Sequence, residues 1–226
     1  MRLKFGVLIF AFLFIGEIGI TQHNYEDSVM KIIDATQVDS IKAKLYRGLA
    51  VSFFSSDQKK AIEYNTRALN FETDLYKRGL IFYSKGILNW QLGHFNKAVS
   101  SFELALPVFT ELQDSVYIGR VYNNIAVSNW GLKNGNESLK YYQISLKIRR
   151  AINDQMGVSN ILNNIGLIYQ DWELYDDALK WHRDALEVAL EIDRKDPIAY
   201  SYSNIALCQE KLNKLNSALN YHFRAL

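Results

Sequence analysis

Asn123-Asn124-Ile125-Ala126, Asn163-Asn164-Ile165-Gly166 and Ser203-Asn204-Ile205-Ala206 repeat one phrase at intervals of 40 residues. Its last residue is always small, and stepping back 40 residues from Ala126 reaches Gly86. A second small residue keeps the same interval, through Ala98, Ser138, Ala178 and Ala218, and a third through Ala105, Ser145, Ala185 and Ala225. A fixed period of this length is the mark of stacked structural units rather than of one globular core.

Each unit reads as two antiparallel helices. Between Gly79 and Asp114, apolar residues fall at helical spacing over Ile81–Trp90 and again over Ala98–Phe109. Leu92-Gly93-His94-Phe95 interrupts them as a turn. The small residues sit where two helices must touch, because interaxial distance follows the side chains at the contact. Asp74, Asp114 and Asp154 recur in the connections between units, and Asp196-Pro197 reads as an N-cap followed by proline at the first helical position. Pro107 falls inside a second helix, where it removes a backbone donor and is expected to kink it. A hairpin of this kind cannot bury its apolar faces alone, so several must fold together.

The pattern resembles the tetratricopeptide repeat in a long, 40-residue form, with the family's small-residue signature on Gly86, Ala98, Ala105, Ala126, Gly166, Ala178, Ala185, Ala206, Ala218 and Ala225. The family's usual tyrosine after the first anchor is present only as Tyr169, and its usual proline at the repeat end is missing from most copies. The resemblance covers about 39–226 and implies an all-α fold, a right-handed α–α superhelix of about five helix-turn-helix repeats. The expected boundaries are 39–76, 77–116, 117–156, 157–196 and an incomplete 197–226, after a helical lead-in at 22–38. The first copy is degenerate. Leu49-Ala50 replaces the anchor, Ala61 and Ala68 are the second-helix alanines, and Ala61 to Ala98 spans 37 residues. Since Asp74 to Asp114 is again 40, the shortfall belongs to the second helix of that copy.

The composition fits such a body. Of 226 residues, 49% are hydrophobic and 22% charged, and only 12 Gly and 2 Pro interrupt the helices. A net charge of +2 is too small to argue for nucleic acid. Arg2 and Lys4 precede an uncharged run from Phe5 to Gly16, closed by Glu17. That is short for a membrane span and matches a signal peptide over 1–21, with an uncleaved membrane anchor as the alternative. The expected location is therefore exported, either periplasmic or anchored in the membrane and facing the periplasm.

The candidate binding residues lie on the first helices. Asn124, Asn164 and Asn204 occupy one structural position, and a carboxamide, being donor and acceptor at once, can pair with both groups of an extended peptide backbone. In kinesin light chains and related long arrays, which this chain resembles, such an asparagine ladder grips a peptide. The alternative is that these residues bond neighbouring helices and fix the register. Arg120, Asn123, Asn160, Asn163 and Gln170 surround the ladder. The expected partner is a protein or extended peptide on the concave face of the array. A membrane link would run through the N-terminus or through a missing C-terminal part.

Other conspicuous residues have plainer readings. Trp90 and Trp130 suit packing between repeats. Lys147, Arg149 and Arg150 suit a solvated face that complements a helix dipole. His182 and His222 replace Phe102 and Tyr142 in the period, which argues core packing rather than metal binding, and Cys208 reads as a buried thiol. There is no nucleophile beside a base, no phosphate-cradling loop and no paired-cysteine zinc site, so neither an enzyme nor a cofactor or metal is expected.

The segment from Asp27 through Lys60-Ala61-Ile62-Glu63-Tyr64 resembles the start of the exported repeat regions of Bacteroidetes-type sensor proteins. The resemblance implies ligand input to a two-component type of membrane signalling protein; the alternative is an exported or membrane-associated assembly scaffold or accessory subunit without signalling output. Leu226 follows Ala225 in what reads as mid-helix, which suits a chain continuing into an output domain.

Overall fold

The computed structural model describes residues 22–226, so the expected signal peptide or anchor at 1–21 lies outside the described residues. Eleven α-helices and no strands are present among them. They are α1 (Gln22–Ala35), α2 (Asp39–Ser52), α3 (Gln58–Leu69), α4 (Leu75–Gln91), α5 (Phe95–Glu111), α6 (Ser115–Gly131), α7 (Gly135–Ala151), α8 (Gln155–Asp171), α9 (Tyr175–Glu191), α10 (Lys195–Lys211) and α11 (Leu215–Arg224). Two compact units divide at Asp74 and Leu75, inside the expected array.

In the unit ending at Asp74, α2 and α3 form the degenerate hairpin. Helix α3 has 12 residues where α5, α7 and α9 have 17, which locates the three-residue deficit in the second helix. Leu49, Ala61 and Ala68 are fully buried. Tyr46 stacks on Tyr64 and Phe71, with ring centroids 6.2 and 5.9 Å apart. Glu26 of α1 is buried, and there it accepts from Lys60 Nζ at 2.7 Å and from the Tyr64 hydroxyl. Burial and this carboxylate push the Tyr64 phenol's pKa well up.

In the second unit, α4–α5, α6–α7, α8–α9 and α10–α11 are hairpins, and the first helices of neighbouring hairpins also touch, α4 with α6 and α8 with α10. The helices begin at 75, 115, 155 and 195, two residues ahead of the expected repeat boundaries. The small anchors make room for a ring from the partner helix. A Cβ on Gly86 would fall 2.4 Å from the Phe102 ring, and one on Gly166 would fall 2.5 Å from the His182 ring. Phe102, Tyr142 and His182 are correspondingly buried. Ala98, Ala105, Ala126, Ala178, Ala185 and Ala206 are fully buried and Ala218 nearly so. Ala225 caps α11 and is half-buried. Where serine replaces alanine, its hydroxyl finds a backbone carbonyl across the hairpin: Ser138 Oγ donates to Ala126 O at 2.8 Å and Ser145 Oγ to Gly119 O at 2.7 Å.

Seventeen-residue helices joined by three-residue turns give a sub-period of 20. Each turn places one residue in the left-handed region: Gly93, Gln113, Lys133, Asn153, Glu173, Asp193 and Asn213. The Lys133 turn shows the geometry, with the next residue's N–H, Asn134 N, returning to Asn129 O at 2.9 Å, which satisfies an end carbonyl of α6. Asp114 and Asp154 cap α6 and α8 through the amides of Tyr117 and Gly157. Helix α10 instead starts at Lys195 with Arg194 as its N-cap, so Asp196 is not the cap and Pro197 sits at the third helical position, two places later than the expected first. Helix α5 continues through Pro107 to Glu111.

Candidate functional site

The first helices α6, α8 and α10 carry every candidate binding residue, and their side chains divide by depth. Asn124 is half-buried and donates from Nδ2 to the Tyr83 hydroxyl at 2.9 Å, joining α6 to α4. It accepts from Asn123 Nδ2 at 3.2 Å. Asn164, half-buried, lies beside the Tyr142 hydroxyl. Arg120 and Asn160 are exposed, and the Arg120 guanidinium lies 5.2 Å from the centre of the Tyr117 ring. Asn123, Asn124, Asn160 and Asn164 thus form a carboxamide surface across α6 and α8.

Asn163, Asn204 and Gln170 belong to the interior instead. Asn163 is fully buried; its Nδ2 donates to Ser201 Oγ at 2.8 Å, and its Oδ1 accepts from His182 Nδ1 at 2.9 Å and Asn204 Nδ2 at 3.4 Å. Gln170 Nε2 donates to His182 Nε2 at 3.0 Å and to Cys208 Sγ at 2.9 Å. These partners assign the His182 proton to Nδ1 and leave the imidazole neutral, and burial lowers its pKa to about 4. The network ties α8 to α9 and α10. For these residues the register reading describes the arrangement, because Asn163 Nδ2 and Oδ1, Asn204 Nδ2 and Gln170 Nε2 are all spent on neighbouring helices. Cys208 is buried, as expected of a core thiol, and burial raises its pKa. His222 differs from its counterparts and does not pack in the core: it is nearly half exposed and lies 2.9 Å from Glu210 Oε1.

Arg149 departs from the solvated reading. Its side chain is only 12% exposed and folds back from the end of α7 onto Asp154, the capping residue of α8. Lys147 and Arg150 do face solvent. Arg149 joins Asn123, Gly157, Asn160, Asn164 and Tyr200 around a polar cleft of about 250 Å³. A second, mainly apolar cleft of about 290 Å³ is lined by Tyr83, Ile87, Trp90, Phe102, Asn124 and Val127. Trp90 is exposed, whereas Trp130 donates from Nε1 to Asp171 Oδ2 at 2.6 Å, bridging α6 and α8. Among the described residues no group of three His, Cys, Asp or Glu side chains could hold a metal ion, and no helix is long and apolar enough to cross a membrane.

The tetratricopeptide repeat family model matches residues 117–191 and 157–226. Comparison with curated proteins returns no match. Among solved structures, the chain is similar to BtubC (BKLC) from P. vanneervenii, at 19% identity and a TM-score of 0.71, covering 91% of this chain and 87% of that one. It is similar to aspartyl phosphate phosphatase F from Bacillus subtilis, at 18% identity and a TM-score of 0.78, covering 85% of this chain and 52% of that one. A third is the Rap conjugation gene regulator of the plasmid pLS20 in complex with the Phr* peptide, at 13% identity and a TM-score of 0.69, covering 82% of this chain and 54% of that one. The chain spans about half the length of the last two. At these identities the likeness shows the fold: a solenoid of helical hairpins.

Proposed function

We propose that this chain, which belongs to the tetratricopeptide repeat family through residues 117–226, is a binding scaffold whose ligand is an extended peptide lying along the concave side, over α6, α8 and the neighbouring first helices. The observation that carries this reading is the carboxamide surface of Asn123, Asn124, Asn160 and Asn164: Asn123, Asn160 and Asn164 line the polar cleft, and Asn124, held by Tyr83, lines the apolar one beside it. The Rap regulator's complex with the Phr* peptide supports it by analogy of fold. Arg120, exposed on the same helix as Asn124, flanks the surface. Asn163, Asn204 and Gln170 then hold the register of α8, α9 and α10.

The finer role is ligand input to a bacterial membrane signalling protein, with export directed by residues 1–21. An exported assembly scaffold is the alternative, and cell fractionation with N-terminal sequencing of the mature chain separates an exported protein from one retained inside. The binding reading is tested with a peptide selected from a random library on the immobilised chain. Replacing Asn124 and Asn164 together by Ala should weaken that peptide by about tenfold or more, at about 1 kcal/mol for each lost hydrogen bond. Helicity should be unchanged. Equal affinity in the double variant would overturn the reading.

A further inference from the structure

Three second helices carry an aromatic residue at one repeat position: Tyr141 on α7, Trp181 on α9 and Tyr221 on α11, at intervals of 40. Two of these rings have a cation of their own. Lys140 Nζ lies 5.7 Å from the centre of the Tyr141 ring, while also reaching Glu137 Oε2 at 3.3 Å. The Arg224 guanidinium lies 6.0 Å from the centres of both the Tyr221 and Tyr202 rings. Indole attracts cations more strongly than phenol, yet among the described residues no cation lies over Trp181.

Two features of this repeat leave the ring open. Lys180, the counterpart of Lys140, donates to Asp177 Oδ1 at 2.7 Å instead. Asp184 is the counterpart of Arg224, so the position that supplies a guanidinium in the last repeat supplies a carboxylate here. Packing does not ask for that carboxylate, since the same position is Leu104 in α5 and Ile144 in α7. Asp184 is exposed and has no hydrogen-bond or ion-pair partner among the described residues. Tyr169, Asp177, Lys180, Trp181 and Asp184 line one cleft of about 440 Å³. The Tyr169 and Trp181 rings are nearly parallel, 24° apart with centres at 6.2 Å, and Trp172 meets Tyr169 edge-on at 5.6 Å. Tyr169 and Trp181 are half-buried against the core, so packing holds their planes. Four of the five lining residues belong to α9, a second helix, and none belongs to the carboxamide surface.

We propose that this cleft binds an arginine side chain of a partner protein, its guanidinium lying against the Trp181 ring with N–H groups on the Asp184 carboxylate. A planar guanidinium suits the pair, because it stacks on an aromatic plane and forks onto a carboxylate, whereas an ammonium is compact and more strongly hydrated. Arg224 against Tyr221 and Tyr202 is the chain's own version of the contact. The site needs none of the residues of the peptide surface, so either can fail without the other.

The test follows the four indole N–H resonances of the full chain by NMR, the Trp181 signal being the one lost in Trp181→Phe. Acetyl-Gly-Arg-Gly-amide should shift that signal and bind about threefold more tightly than the same tripeptide with citrulline, the neutral isostere of arginine. Asp184→Asn should remove the preference. Asp184→Arg, which copies the last repeat, should fill the site from within and abolish the shift. Both changes fall at an exposed position, so helicity should be unchanged. Glu187→Gln, at an exposed acid of α9 outside the cleft, should leave the preference intact. Equal binding of the two tripeptides, a Trp181 signal that neither moves, or a preference lost equally in Glu187→Gln would overturn the site.

Discussion

His182→Phe should flatten the pH dependence of stability while lowering stability at neutral pH. The wild-type imidazole is fully buried, donates from Nδ1 to Asn163 and accepts at Nε2 from Gln170. Its pKa falls from 6.5 to about 4 because burial disfavours the charged ring. The sign follows from which state binds protons. Above pH 6.5 neither state is protonated and the full stability is present. As pH falls from 6.5 towards 4, the unfolded chain takes up a proton that the native chain refuses, so stability drops; below about 4 both states are protonated and the loss ends. At about 1.4 kcal/mol per pH unit, the loss is roughly 2 kcal/mol by pH 5 and about 3 kcal/mol in all. Phenylalanine already fills the equivalent position 102 beside Gly86, so the ring's shape is tolerated by this architecture. The variant leaves Asn163 and Gln170 short of a partner, a cost of about 1–3 kcal/mol that does not depend on pH. Urea unfolding followed by circular dichroism at pH 7.5 and 5.0 measures both effects. The wild-type midpoint should fall by roughly 1 M between the two pH values, with slopes near 2 kcal/mol per M, and the variant's should fall by much less. Equal losses in the two proteins would refute the neutral, buried imidazole.

Three further outcomes follow from the packing and the turns. Lys133→Gly and Glu173→Gly relieve left-handed backbone at φ of 64° and 61°, and each should raise stability by about 1 kcal/mol, or a melting temperature by roughly 2–4 °C in calorimetry. Gly86→Val forces atoms onto the buried Phe102 ring; overpacking of about 1–3 kcal/mol outweighs the gain of a few tenths in helix propensity, so the melting temperature should fall. Ser201→Ala removes the acceptor of Asn163 Nδ2 inside the network and should cost about 1–3 kcal/mol, whereas Ser203→Ala, on the exposed side of the same helix, should lie within about 0.5 kcal/mol of wild type in the same urea titration.

The hairpin architecture was legible because contact between helices demands small residues, and these recur every 40 positions. Even the short α3 could be read from Ala61, Ala98 and the two aspartates. The sub-period of 20 was hidden: the turn residues are chemically unlike, and only Gly93 announces a left-handed conformation. The binding surface was legible in type and less so in detail. Asn163 and Asn164 are adjacent in sequence, yet a step of about 100° around the helix puts one in the core and the other at a cleft. The period puts Asn164 in the ladder and Asn163 beside it, but the shared carboxamide gives no sign that Asn163 is buried. Arg149 was hidden for another reason. Its neighbours Lys147 and Arg150 do face water, and only Gly157, eight residues later in the chain, signals that a guanidinium needs room there. A glycine at the start of a helix that shows no turn was the available clue.

The central claim is that an extended peptide lies over α6, α8 and the neighbouring first helices. The most direct measurement is photo-cross-linking of the full chain with a library-selected peptide carrying a benzoylphenylalanine at each position in turn, with the linked residues read by mass spectrometry. The account predicts links concentrated on α6 and α8, around Asn123, Asn124, Asn160 and Asn164, moving along those helices as the label moves along the peptide. Links concentrated on α5, α7 and α9 instead would contradict it.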